Sequence, residues 1–130
     1  MNGLELDYLL QKVPWFGGII DYSTNKIRLG YIYVLFTGVT PIGHWVVVDL
    51  KNNYFFDSLG RPPAHYSLPA MKYNHRMLQH PSSDLCGVYC MYYVINGVKG
   101  LKRFTSDTKK NDTTIQKWLD THINTVHRNQ

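Results

Sequence analysis

A chain of 130 residues with 44% apolar and 18% charged side chains has room for one hydrophobic core, so a single domain spanning 1–130 is expected. No window approaches the roughly 18 continuous apolar residues of a membrane span, and the opening MNGLELDYLLQKVPW carries Glu5 and Asp7, unlike a secretory signal; no membrane partner and a non-secreted setting are expected. The net charge is +5, and much of it falls late, at Lys99, Lys102, Arg103, Lys109 and Lys110, a stretch that is either an ordinary solvated face or an attractor of polyanions.

Along the chain, residues 3–12 place Leu4, Tyr8 and Leu9 at helical spacing and predict a short helix that Pro14 ends. WFGGIID (15–21) reads as a turn or short strand around Gly17 and Gly18, and GYIYVLF (30–36) as a buried strand. HWVVVDL (44–50) and NYFFDSL (53–59) predict two more strands, joined as a hairpin at Lys51-Asn52-Asn53 because Asn tolerates a left-handed backbone. Pro62, Pro63 and Pro69 make 60–69 a loop, and AMKYNHRML (70–78) is read as a short helix. LCGVYCMYYVI (85–95) has no charge at all, the mark of a buried helix, with Ser82, Ser83 and Asp84 as candidate N-caps and Asn96-Gly97 as its end. A last helix is expected from an N-cap at Asp112, with Ile115, Trp118, Leu119, His122 and Ile123 as its apolar stripe. This order predicts an α+β fold in which helices pack on a small, largely antiparallel sheet.

Cys86 and Cys90 stand four residues apart, one turn apart on one helix face, which is poor disulfide geometry; two free thiols in a reducing compartment are expected. No further Cys or His pair completes a zinc spacing, so no metal is expected. Cys90 reads as a small core thiol. Cys86 falls in the first turn of the buried helix, where free N–H groups and the helix dipole favour a thiolate, and Gly87 leaves room for a substrate. A thiolate nucleophile works with a base, and His44 opens a strand at a sheet end. Pairing Leu50 with Asn53 would set Asp57 opposite Val46, diagonal to His44 on the same face, as the acceptor that orients the imidazole. Gln79, seven residues before Cys86 in a polar loop, could stabilise an oxyanion with its amide beside the Cys86 N–H.

Together GHW (43–45), FFDSLG (55–60) and QHPSSDLCGVYCMYYV (79–94) resemble the adenain-like, adenovirus-type cysteine endopeptidases, which share a clan with the SUMO-specific proteases. The clan order of His, acid, Gln and Cys falls on His44, Asp57, Gln79 and Cys86, and LELDYLLQKVPWFGGIIDYSTNK (4–26) is similar to the adenain opening. Adenain carries Glu at the acidic position, its segment between acid and Gln is longer, and the corresponding stretch here has no Cys for the disulfide-linked activating peptide. The resemblance covers about residues 4–97. It implies a papain-like core of the adenain type, with a central helix bearing the nucleophile against the sheet, and a thiol protease that matures viral capsid or core precursors. It also implies a setting in the virion and host nucleus or cytoplasm. DNA, bound without sequence preference at Lys99, Lys102, Arg103, Lys109 and Lys110, or a viral peptide would be activators; a monomer is expected. Three alternatives stay open: a protease of ubiquitin-like modifiers, an acyltransferase on the same scaffold, and a non-catalytic nucleic-acid binder.

Overall fold

The computed structural model describes residues 1–38 and 43–128. Helix α1 spans Gly3–Leu10, and a capping box closes its start: Asn2 accepts from the Glu5 N–H while the Glu5 carboxylate accepts from the Asn2 N–H. Strands β1 (Phe16–Ile20), β2 (Ile32–Phe36), β3 (Trp45–Asp49), β4 (Tyr54–Phe56) and β5 (Lys72–Tyr73) follow, then α2 (Cys86–Asn96) and α3 (Thr108–Arg128). The five strands form one sheet in sequence order. The pairs β2–β3 and β3–β4 are antiparallel, and the outer pairs β1–β2 and β4–β5 are parallel. The fold is therefore α+β with a mixed sheet, and the expectation of a largely antiparallel one holds only for its centre.

Side-chain alternation along the central strands divides the sheet into two faces. Ile32, Val34, Val47 and Phe56 point into the main core with α1, α2, Ile115 and Leu119 of α3. Leu35, Val46 and Phe55 point the other way, onto Tyr66, Leu68 and Met71 of the proline-rich loop. Helix α2 is buried from Gly87 to Val94, as its uncharged sequence requires. Two polar contacts fix its rotation: the Trp15 indole donates to the Val94 carbonyl at 2.6 Å, and the buried Tyr93 hydroxyl donates to Asp49 at 2.6 Å.

The β3–β4 hairpin has the register that pairing Leu50 with Asn53 demands: Val47 faces Phe56, Val48 faces Phe55 and Asp49 faces Tyr54. Asn53 adopts a left-handed backbone at φ 54°, and Asp49 accepts from the N–H groups of Lys51 and Asn52 to hold the turn.

Four sequence expectations need correction. Residues 70–78 are not a helix: Lys72–Tyr73 pair parallel to Tyr54–Phe55, and the Asn74 side chain binds the main-chain N–H and carbonyl of Asp57. Satisfying β4's open edge outweighed a weak helical pattern. Ser82, Ser83 and Asp84 do not cap α2; Leu85 occupies that position and no side chain caps the helix. Asp112 does not begin α3. The helix starts a turn earlier, at Thr108, with the Asp107 carboxylate accepting from the Lys110 N–H, while Asp112 turns inward to accept from the Tyr89 hydroxyl at 2.7 Å. Within 60–69, Pro63–Tyr66 form a 3-10 turn, and it lowers Tyr66 onto the sheet.

Candidate active site

The hairpin register delivers the first part of the site. His44 immediately precedes β3 and Asp57 immediately follows β4, and the His44 Nε2 lies 2.7 Å from the Asp57 Oδ1. The Asp57 side chain is fully buried and the His44 ring 17% exposed, so the pair is shielded except at its cleft side. Asp57 also receives the Tyr66 hydroxyl, the Arg61 Nε at 3.2 Å and the Leu59 N–H at 2.8 Å. Burial by itself would push its carboxyl up, but the hydrogen bonds from His44, Tyr66 and Leu59 outweigh it and hold the acid below the usual range. Its main chain is clamped as well: the Asp57 N–H donates to Asn74 at 3.1 Å and its carbonyl accepts from the Asn74 amide at 2.6 Å.

Cys86 is the first residue of α2, and its sulfur interacts with His44 and with the N–H groups of Trp45 and Gly87. With Nε2 committed to Asp57, Nδ1 is the ring nitrogen left for the thiol. Burial opposes charge on both partners, yet the mutual interaction prevails. The Cys86 thiol is pulled below its ordinary value, while Asp57 and Cys86 together raise His44 to about 9. Both shifts favour the thiolate–imidazolium form of the pair over the neutral thiol and imidazole. One turn on, Cys90 is fully buried and free, and burial pushes its thiol well up.

Gln79 is brought to the same place from a separate loop. It is 2% exposed; its Oε1 accepts from the Ser58 hydroxyl at 2.6 Å and its Nε2 donates to the Ser83 carbonyl at 2.9 Å. A carbonyl can only accept, so Ser83 fixes which end of the amide is nitrogen, and one Nε2–H remains for a ligand. The loop is anchored by main-chain bonds from the Leu78 and Gln79 N–H groups to the Ser58 carbonyl, and by the Asn111 amide on the Leu78 carbonyl. Gly60 makes its close approach possible. At φ +77° it lies against the main chain of Arg76 and Met77, where a Cβ would meet atoms at 2.7–2.8 Å.

His44, Trp45, Leu59, Gln79, Asp84 and Cys86 line one open cleft of about 590 Å³. Phe36 packs on Trp45 with ring centroids 4.8 Å apart and fills the space a Cβ at Gly43 would need. The four residues singled out in the sequence therefore converge. Lys99, Lys102, Arg103, Lys109 and Lys110 are all exposed, on the 3-10 segment Val98–Arg103 and the first turn of α3, and none of them lines the cleft.

The sequence reading missed Tyr66, Arg61 and Asn74 around Asp57, and Ser58 beside Gln79. The first two come from a proline-rich loop without periodicity. Asn74 lay in the stretch misread as helix, and Ser58 reads as a turn residue. Only its place directly after Asp57 could have drawn attention. Among the described residues no group of three His, Cys, Asp or Glu side chains could hold a metal ion, and no helix is long and apolar enough to cross a membrane. Comparison of the chain with protein-family models and with curated proteins finds no match.

Proposed function

We propose that this chain is a cysteine endopeptidase with Cys86 as nucleophile, His44 as base and acid, Asp57 as the orienting carboxylate and Gln79 as oxyanion donor. The observation that carries the reading is the buried Asp57–His44 contact ending at a thiol whose pKa is lowered, in an open cleft. In this reading the Cys86 thiolate attacks a peptide carbonyl carbon, and the carbonyl's electron pair moves onto its oxygen. The Cys86 N–H and the free Nε2–H of Gln79 receive that charge. His44 passes its Nδ1 proton to the leaving amine, and the resulting acyl-enzyme is hydrolysed by a water that His44 deprotonates.

The adenain-type core, the viral precursor substrates and a virion or host-cell setting rest on the sequence resemblance alone. The exposed cations between 99 and 110 support a polyanion such as DNA as accessory partner.

The deciding experiment is incubation with a peptide library beside a Cys86→Ala control. A defined set of cleavages absent from the control supports the reading. Cleavage that persists in the control, or none with either protein, refutes it.

A further inference from the structure

The residue after Asp57 stands between the two halves of the site. Ser58 is fully buried although it is polar. Its three polar interactions all go to one loop: the hydroxyl donates to Gln79 Oε1 at 2.6 Å, and the carbonyl accepts from the Leu78 N–H at 2.8 Å and the Gln79 N–H at 3.0 Å. Asp57, one residue earlier, spends its carboxylate on the other half, at 2.7 Å from His44. Successive side chains leaving a strand point in opposite directions, so a single dipeptide reaches the base and the oxyanion donor at once.

We propose that Ser58 is a positioning residue that holds the Gln79 carboxamide with its nitrogen toward the cleft. Gln79 has two anchors for its amide plane, the Ser58 hydroxyl on oxygen and the Ser83 carbonyl on nitrogen. With the first removed, the oxygen is a buried acceptor without a partner, and the amide gains freedom to turn away from the reacting carbonyl. Donation to Oε1 also polarises the amide, which makes its remaining N–H a stronger donor. Ser58 acts on the second half of the reaction centre only. It makes no side-chain bond to Asp57, His44 or Cys86, so formation of the thiolate–imidazolium pair does not depend on its hydroxyl.

The inference rests on the proposed oxyanion role of Gln79, and its test separates the two. The variants are Ser58→Ala and the near-isosteric Ser58→Cys, whose thiol is a weak donor and which preserves the packing if the alanine variant does not fold. Each is made alone and with Gln79→Ala. The expected result is a kcat about tenfold lower with KM unchanged in the single Ser58 variants, and no further loss when Gln79 is already Ala. The alkylation rate of Cys86 and its pH profile stay as in wild type. Independently of turnover, the Gln79 side-chain NH2 signals of 15N-labelled protein exchange with solvent faster in both Ser58 variants. Losses that multiply in the double variant, a changed Cys86 alkylation profile, or Gln79 signals unaltered by either substitution would each overturn the proposal. A wild-type protein that cleaves no peptide would instead refute the protease reading, and the Gln79 signals then decide the role of Ser58 alone.

Discussion

Replacing Asp57 with Asn removes one buried negative charge while keeping the size of the side chain. The rise of His44 from 6.5 to about 9 corresponds to about 3.4 kcal/mol of preference for the imidazolium. That preference is gained against burial, which disfavours the charged ring. Its largest favourable contribution is the hydrogen bond to Asp57, ahead of the one to Cys86. Losing half of it, about 1.7 kcal/mol, makes the imidazolium about 20-fold less favoured. The thiolate of Cys86 depends on that imidazolium, so its own pKa rises in Asp57→Asn. The assay is the alkylation rate of Cys86 by iodoacetamide between pH 5 and pH 9, read by mass spectrometry of the Cys86 peptide. Wild type should react at nearly constant rate down to its acid limb. The variant's acid limb should move to higher pH, costing up to about 20-fold in rate along that limb, and approach wild type where the free thiol ionises unaided. Superimposable profiles would show that Asp57 does not hold the His44 charge, and the orienting role given to the 2.7 Å contact would fail.

Other consequences are equally direct. Cys86 should alkylate far faster than Cys90 near neutral pH, because one thiol is pulled down by His44 and the other is pushed up by burial; equal labelling by brief treatment of the native protein would contradict this. Gln79→Ala should cut turnover by roughly 10²–10³-fold and His44→Ala should abolish it, both in folded protein, as measured by steady-state kinetics beside circular dichroism. Gly60→Ala places a Cβ within 2.7 Å of the Arg76 main chain at φ +77° and should cost about 1–3 kcal/mol, visible as a lower Tm and a displaced Gln79 loop. Binding of a short DNA duplex, followed by fluorescence anisotropy, should fall steeply with salt and be lost when Lys102, Arg103, Lys109 and Lys110 are reversed to Glu; no binding at low salt would leave that charge as a solvated surface.

The sequence by itself determined the parts whose cause is local. An uncharged eleven-residue run can only be a buried helix, and α2 follows it closely. The hairpin signal at Lys51–Asn53 suggested a β3–β4 register that the structure adopts, and with a side-chain period of two that register places Asp57 within reach of His44. His44 and Asp57 were legible through that register and Cys86 through its helix-start position, whereas Gln79 stood out only through the resemblance in residue order. What the sequence left open depends on partners distant along the chain. A short segment such as 70–78 has too few residues for its own pattern to decide, so β4's unpaired edge drew Lys72–Tyr73 of it into a strand. Asp112 looked like a cap and became a half-buried acceptor because Tyr89, 23 residues away, needed one for its hydroxyl. Tyr66 and Ser58 acquired their roles in the same way: a buried carboxylate and a buried amide must each satisfy their hydrogen bonds, and only the folded chain shows which side chains lie near enough to do so.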